Sequence, residues 1–149
     1  MQNKIMFEGQ AISEQEAIRI VKDYPDDLLR IKNQTERICL EAVKEDGEVL
    51  EYVENQTELI CLEAVRQDGW SLEYVKNQTE QICLEAVKED GFSLRYVKNQ
   101  TEQICIESVK QNELALKYVD SQFKEICEKT IKNNNPISRY YPILYNGSI

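Results

Sequence analysis

The stretch TEQICLEAVKEDGFSLRYVKNQ, Thr79 to Gln100, decides the fold, because near-copies of it lie on both sides. Thr57 to Gln78 agrees with it at 17 of 22 positions, and further copies begin at Thr35 and Thr101. A period of this length marks a solenoid. Each short unit is too small to bury an apolar face alone, so neighbours stack and share one continuous core.

Within the unit, Thr79 has the chemistry of an N-cap and Glu80 suits the positive end of a helix dipole. Gly91 supplies a left-handed residue just past the helix end. These signals predict a first helix from Glu80 to Asp90. On a helical wheel Ile82, Cys83, Leu84, Ala86 and Val87 span an apolar arc of roughly 200°, wider than a helix with one buried side requires. Gln81, Glu85, Lys88 and Glu89 form the outer face, with Glu85 and Lys88 spaced to pair. After Gly91, FSLRYVKN reads as a second helix of about two turns that Ser93 can cap. The alternation in SLRYV also suits a strand. The glutamates of the copies SLEYVKN and VLEYVEN favour the helix. With NQT as the connection, the expected architecture is all-α: a solenoid of short two-helix repeats with period 22.

The repeat decays at both ends. Ser13 aligns with Thr35 and Ala17 with Cys39, while Pro25 takes the glycine position, where it ends one helix and opens the next. At the far end Glu113 replaces the glycine, Ser121 the asparagine, Phe123 the threonine and Thr130 the alanine, as capping units should. The expected organisation is a lead over 1–12, about five units over 13–132 and a tail over 133–149. The last helix is expected from Ser121 to Lys132. Tyr140, Tyr141, Ile143, Leu144 and Tyr145 suit a tail that folds over the last repeat or holds another chain.

Composition narrows the function classes. A formal charge of −9 leaves no basic stripe for tracking phosphates, so binding to nucleic acid is not expected. No segment approaches the roughly 20 apolar residues of a membrane span, and the expected setting is intracellular and cytoplasmic. Cys39, Cys61, Cys83, Cys105 and Cys127 fall at the repeat period. Stacked helices lie about 8–10 Å apart, whereas a disulfide needs Cα atoms within about 7 Å. The cysteines therefore read as small buried hydrophobes. With no histidine and no CxxC pair, neither a metal site nor an activated thiol is expected, and no cofactor. No constellation of nucleophile and base appears, so the chain is expected not to be an enzyme.

Two ladders remain. Asn33, Asn55, Asn77 and Asn99 suit a left-handed residue that closes each second helix, or else a row of amides for an extended peptide. Tyr52, Tyr74, Tyr96 and Tyr118 suit the core margin, with hydroxyls at the rim.

At this point the motif ICLEAVKEDGFSLRYVKNQTEQICLEAVK resembles a family of short helical repeats of unknown function, abundant in giant DNA viruses and found in some bacteria. The resemblance covers Thr35 to Lys132. It implies the fold and a viral or microbial origin, and it carries over no functional residues.

Differences between the repeats suit a partner-binding surface, or else neutral drift at exposed sites. Residues fixed by stacking recur, whereas those facing a partner are free to differ. The differing positions fall on the second helix in three columns: Glu48, Trp70, Phe92 and Leu114; Glu51, Glu73, Arg95 and Lys117; Glu54, Lys76, Lys98 and Asp120. The middle column runs from acidic to basic. The expected function is a non-catalytic scaffold that binds another protein through Trp70, Glu73, Phe92, Arg95, Leu114 and Lys117, with the aromatic residues as anchors. Two other readings compete. Rows such as Glu36, Glu58, Glu80, Glu102 and Glu41, Glu63, Glu85, Glu107 suit an acidic decoy that mimics nucleic acid. Complementary solenoid ends, or the tail, suit a self-assembling structural protein.

Overall fold

The computed structural model describes residues 4–134. Six α-helices, α1 (Glu14–Asp23), α2 (Glu36–Glu45), α3 (Glu58–Gln67), α4 (Glu80–Glu89), α5 (Glu102–Gln111) and α6 (Lys124–Asn134), stack in sequence order as one layer. The second layer is a parallel stack of 3₁₀ helices: η1 (Pro25–Arg30), η2 (Gly47–Tyr52), η3 (Gly69–Tyr74), η4 (Gly91–Tyr96) and η5 (Glu113–Tyr118). The all-α solenoid expected from the period is what the chain forms.

The α layer follows the sequence closely. Ser13, Thr35, Thr57, Thr79 and Thr101 are the N-caps, each side chain accepting a hydrogen bond from the backbone N–H three residues on. In α4, Ile82, Cys83, Ala86 and Val87 are buried and Leu84 packs against the core from the margin. The same register repeats in α2, α3 and α5, so one core runs the length of the stack. All five cysteines are buried and free.

The second helix differs from expectation in kind. It is 3₁₀ throughout, a form that rarely exceeds three or four residues on its own and here runs six residues per unit because each copy is stacked on the next. Its cap is not Ser93, which is fully buried. Asp46, Asp68, Asp90 and Asn112 do that work, accepting from the N–H two residues on. Each then serves as C-cap of one helix and N-cap of the next, so α4 ends at Glu89, one residue before the expected Asp90.

Gly91 is not left-handed either, since Gly9 is the only glycine with positive φ among the described residues. Its reason is close approach. A Cβ on Gly91 would lie 2.6 Å from the Ser108 carbonyl oxygen of the next α-helix, and one on Gly69 would lie 2.6 Å from that of Ala86. The stack is closest there and only hydrogen fits. The left-handed reading of the asparagine ladder holds at Asn33, with φ of 59°, and fails at Asn55, Asn77 and Asn99. There the chain leaves η2, η3 and η4 through an extended valine and a bend.

At the N-terminus, strands β1 (Met6–Phe7) and β2 (Gln10–Ala11) form a hairpin, and β1 also pairs with β3 (Ile31–Lys32). Its turn residues Glu8 and Gly9 both have positive φ, the signature of a type I′ turn. Ile5 and Phe7 pack against the core, so the hairpin closes the first end of the stack. At the other end, Ser121–Phe123 forms a short 3₁₀ turn, and α6 runs on to Asn134 rather than stopping at Lys132. Tyr140, Tyr141, Ile143, Leu144 and Tyr145 of the expected tail lie outside the described residues.

Candidate functional site

A 3₁₀ helix has three residues per turn, so positions i and i+3 eclipse. This geometry merges the columns that vary between repeats. Trp70 and Glu73 fall on one ridge, as do Phe92 and Arg95, Leu114 and Lys117, and Glu48 and Glu51. The ridge faces out: Trp70 is 38% and Leu114 70% exposed, while Gly69 and Leu72 beside them are buried. The tyrosine column flanks the ridge half-buried, its rings resting on the core.

All six expected site residues are in direct contact with this aromatic column or exposed beside it. The Arg95 guanidinium lies 5.6 Å from the Trp70 ring centroid, 5.1 Å from Tyr96 and 5.7 Å from Tyr118. The Lys117 ammonium lies 5.1 Å from Phe92 and 4.7 Å from Tyr118. Trp70 meets Tyr96 edge to face at 6.0 Å, and Phe92 meets Tyr118 likewise at 6.0 Å. The Trp70 indole N–H donates to Asp90 at 2.6 Å, which fixes the ring across the joint between two units. Leu114 stands exposed at the same ridge. Glu73 meets the column through the Tyr96 hydroxyl. Burial first, then a hydrogen bond to the Glu73 carboxylate, pushes the Tyr96 hydroxyl above its usual value.

The third variable column has a duty inside the molecule. Lys76 donates to the carbonyls of Val53 and Glu54, and Lys98 to those of Val75 and Lys76, tying each unit to the one before.

Sequence reasoning missed a glutamine ladder. The Gln78 side-chain amide donates to the Tyr96 carbonyl at 2.9 Å and to its own unit's Leu72 carbonyl, and its oxygen accepts from the Lys98 N–H at 2.9 Å. Gln56 and Gln34 do the same one and two units earlier, and Gln100 binds Tyr118 and Asp120 one unit later. Each glutamine thus satisfies the end of a 3₁₀ helix in the next unit as a neighbouring strand would. The signal was present, an unvarying Gln before each threonine N-cap, but it sat in a connection where any polar residue reads as linker. Small recesses of about 200 and 180 Å³ recur at these joints, lined by the same glutamines, threonines and cysteines.

No arrangement of the site prepares a thiol for chemistry. Burial pushes the Cys39 and Cys83 thiols up to about 11 and Cys105 to about 12. Among the described residues no cluster of His, Cys, Asp and Glu could hold a metal ion, and no helix is long and apolar enough to cross a membrane.

Residues 35–78, 57–101 and 79–124 each match the family described as a domain of unknown function, DUF4116. The chain belongs to the DUF4116 family. The matches begin at the N-caps Thr35, Thr57 and Thr79, so one DUF4116 unit corresponds to two successive helix pairs and the register slides by one pair at a time. Together they cover more than half of the chain. No curated protein and no solved structure matches this DUF4116 chain.

Proposed function

We propose that this repeat protein is a non-catalytic scaffold that binds another protein through the outer ridge of its 3₁₀ stack, with Trp70, Glu73, Phe92, Arg95, Leu114 and Lys117 as the contact residues. One observation carries the reading. Two of the three second-helix columns that differ from unit to unit emerge on a single exposed ridge and bring together Trp70, Phe92, Leu114 and two cations, with a tryptophan and an arginine of the kind that dominates interface energetics. The positions that recur are spent on the core and on stapling the units together.

The acidic rows on the α layer favour this reading over a nucleic-acid mimic. Glu36, Glu58 and Glu80 accept from the threonine N-caps of the following units. Glu41, Glu85 and Glu107 pair with Lys44, Lys88 and Lys110, and Glu85 also binds Arg66. Three carboxylates of these rows are thus paired with the chain's own cations.

A photo-crosslinking residue placed at position 114, compared with one at the exposed α-layer position 81, tests the proposal in cells that make the protein. Discrete protein adducts from position 114 and none from 81 are expected. Adducts from 81 alone would overturn it.

A further inference from the structure

The tiers of the ridge are equivalent in backbone and opposite in charge. In the later tiers the chain supplies its own cations, Arg95 between Tyr96 and Tyr118, and Lys117 against Phe92 and Tyr118. In the earlier tiers the corresponding positions are Glu51 and Glu73, and the position of Trp70 is taken by Glu48. Among the described residues no cation lies over Tyr52 or Tyr74, and the carboxylates of Glu48 and Glu51 have no cationic partner. One tier earlier the position aligned with Glu51 is Leu29, and the neighbouring cation, Arg30, is engaged elsewhere: it covers Phe7 at 5.1 Å and pairs with Asp27 and Glu8. Three carboxylates, Glu51, Glu48 and Glu73, lie close enough to Tyr74 to add to burial in raising its hydroxyl. Tyr74, with three carboxylates near it, and Tyr52 one tier earlier thus lack the positive charge that the same positions hold two tiers on.

Resting on the scaffold reading, we propose that the early tiers bind two basic side chains of a partner. Each stacks on Tyr52 or Tyr74 and pairs with Glu48, Glu51 or Glu73, taking the places that Arg95 and Lys117 fill in cis. A basic head over an aromatic face with a carboxylate at its edge combines cation–π attraction and ion pairing. Arginine suits it best, being planar and weakly hydrated. The spacing of the partner follows from the stack. Successive tiers are about 8–10 Å apart, and a polyproline II segment rises about 9 Å over three residues, returning to the same face. The partner segment is therefore extended, with basic residues three apart.

Fluorescence anisotropy with a labelled peptide containing Arg-Pro-Pro-Arg, titrated with the full chain at low salt, tests this. Binding is expected, weakened about tenfold or more by Glu48→Gln/Glu51→Gln/Glu73→Gln and by about twofold at most by Glu45→Gln/Glu63→Gln/Glu89→Gln, which removes equal charge from the α layer. A peptide with its two arginines adjacent should bind more weakly than the spaced one. Glu73→Arg, which extends the cis cations by one tier and keeps the fold, should abolish binding even if the triple variant is unstable. No binding to the intact chain, equal weakening by both triple variants, or full binding by Glu73→Arg would overturn the proposal. Crosslinks from position 114 persisting alongside any of these results would leave the scaffold reading standing and remove only this inference.

Discussion

Tyr74 and Tyr96 occupy the same place in successive tiers, and their surroundings are opposite. Tyr96 has Trp70 at its edge and Arg95 over its face, while Tyr74 has Glu48, Glu51 and Glu73 around it. The frame that holds them is the same: an Asp cap, a buried leucine, an extended valine and a glutamine staple. Recurring residues therefore set the geometry, and differing ones write a chemical gradient onto it, with cations resting on the chain's own rings at one end and carboxylates without a cation at the other.

The largest effects should come from breaking the frame at the junction of the halves. Gly69→Ala would push a methyl to 2.6 Å from the Ala86 carbonyl oxygen and 2.8 Å from the Ser93 hydroxyl, prising apart the units that carry Trp70 and Arg95. A loss of about 2–3 kcal/mol is expected by chemical denaturation. Ala86→Leu acts from the other side of the same contact, at a fully buried site, and should cost about 2 kcal/mol; an unchanged melting temperature would contradict its inward orientation.

Next in size is the staple. Gln78→Ala strips partners from the Leu72 and Tyr96 carbonyls and the Lys98 N–H, for an expected loss of about 2 kcal/mol. Asn77→Ala, one residue earlier and exposed, should change stability by less than about 0.5 kcal/mol. Equal effects would mean the ladder is not what joins the tiers.

A smaller change would turn one half into the other. Arg95→Glu removes the cation shared by Trp70, Tyr96 and Tyr118 and should cost about 1 kcal/mol. Trp70 is the only tryptophan, so its emission should shift to the red as the ring loses its cover. An unmoved spectrum would mean the cation does not order the ring.

The smallest effect lies on the opposite layer. Hydrogen bonds from Lys22 and Lys44 hold the Glu41 carboxyl down at about 2. A depressed carboxylate stabilises the fold above its unfolded value, near pH 4.3, and that contribution fades as pH falls toward 2. Glu41→Gln should flatten stability over this window by at most about 1 kcal/mol, since the pair is at the surface. The outer ridge should not notice.

The frame was legible where one residue had one local job. Thr79 could only cap, and Ile82, Cys83, Ala86 and Val87 could only face inward, so the α layer and the buried cysteines follow from the sequence. What escaped involves contact between units. Gly91 looked like a turn residue because its true neighbour, the Ser108 carbonyl, is 17 positions away in sequence. Gln78 looked like linker because its partners are in the next unit. The β1–β2 hairpin escaped because two-residue strands carry no period, although Glu8-Gly9 is a turn signal. The exposed columns were legible from variation alone, but their merging into one ridge depended on the 3₁₀ turn, which eclipses Trp70 and Glu73 where an α-helix would offset them.

The most direct test of the gradient is a residue-by-residue map. Backbone amide resonances of the full chain, followed while the Arg-Pro-Pro-Arg peptide is added, should move at Glu48, Glu51, Tyr52, Glu73 and Tyr74 and stay still from Phe92 to Tyr118. Shifts spread over α2 to α5, or centred on the cationic tiers, would contradict the account.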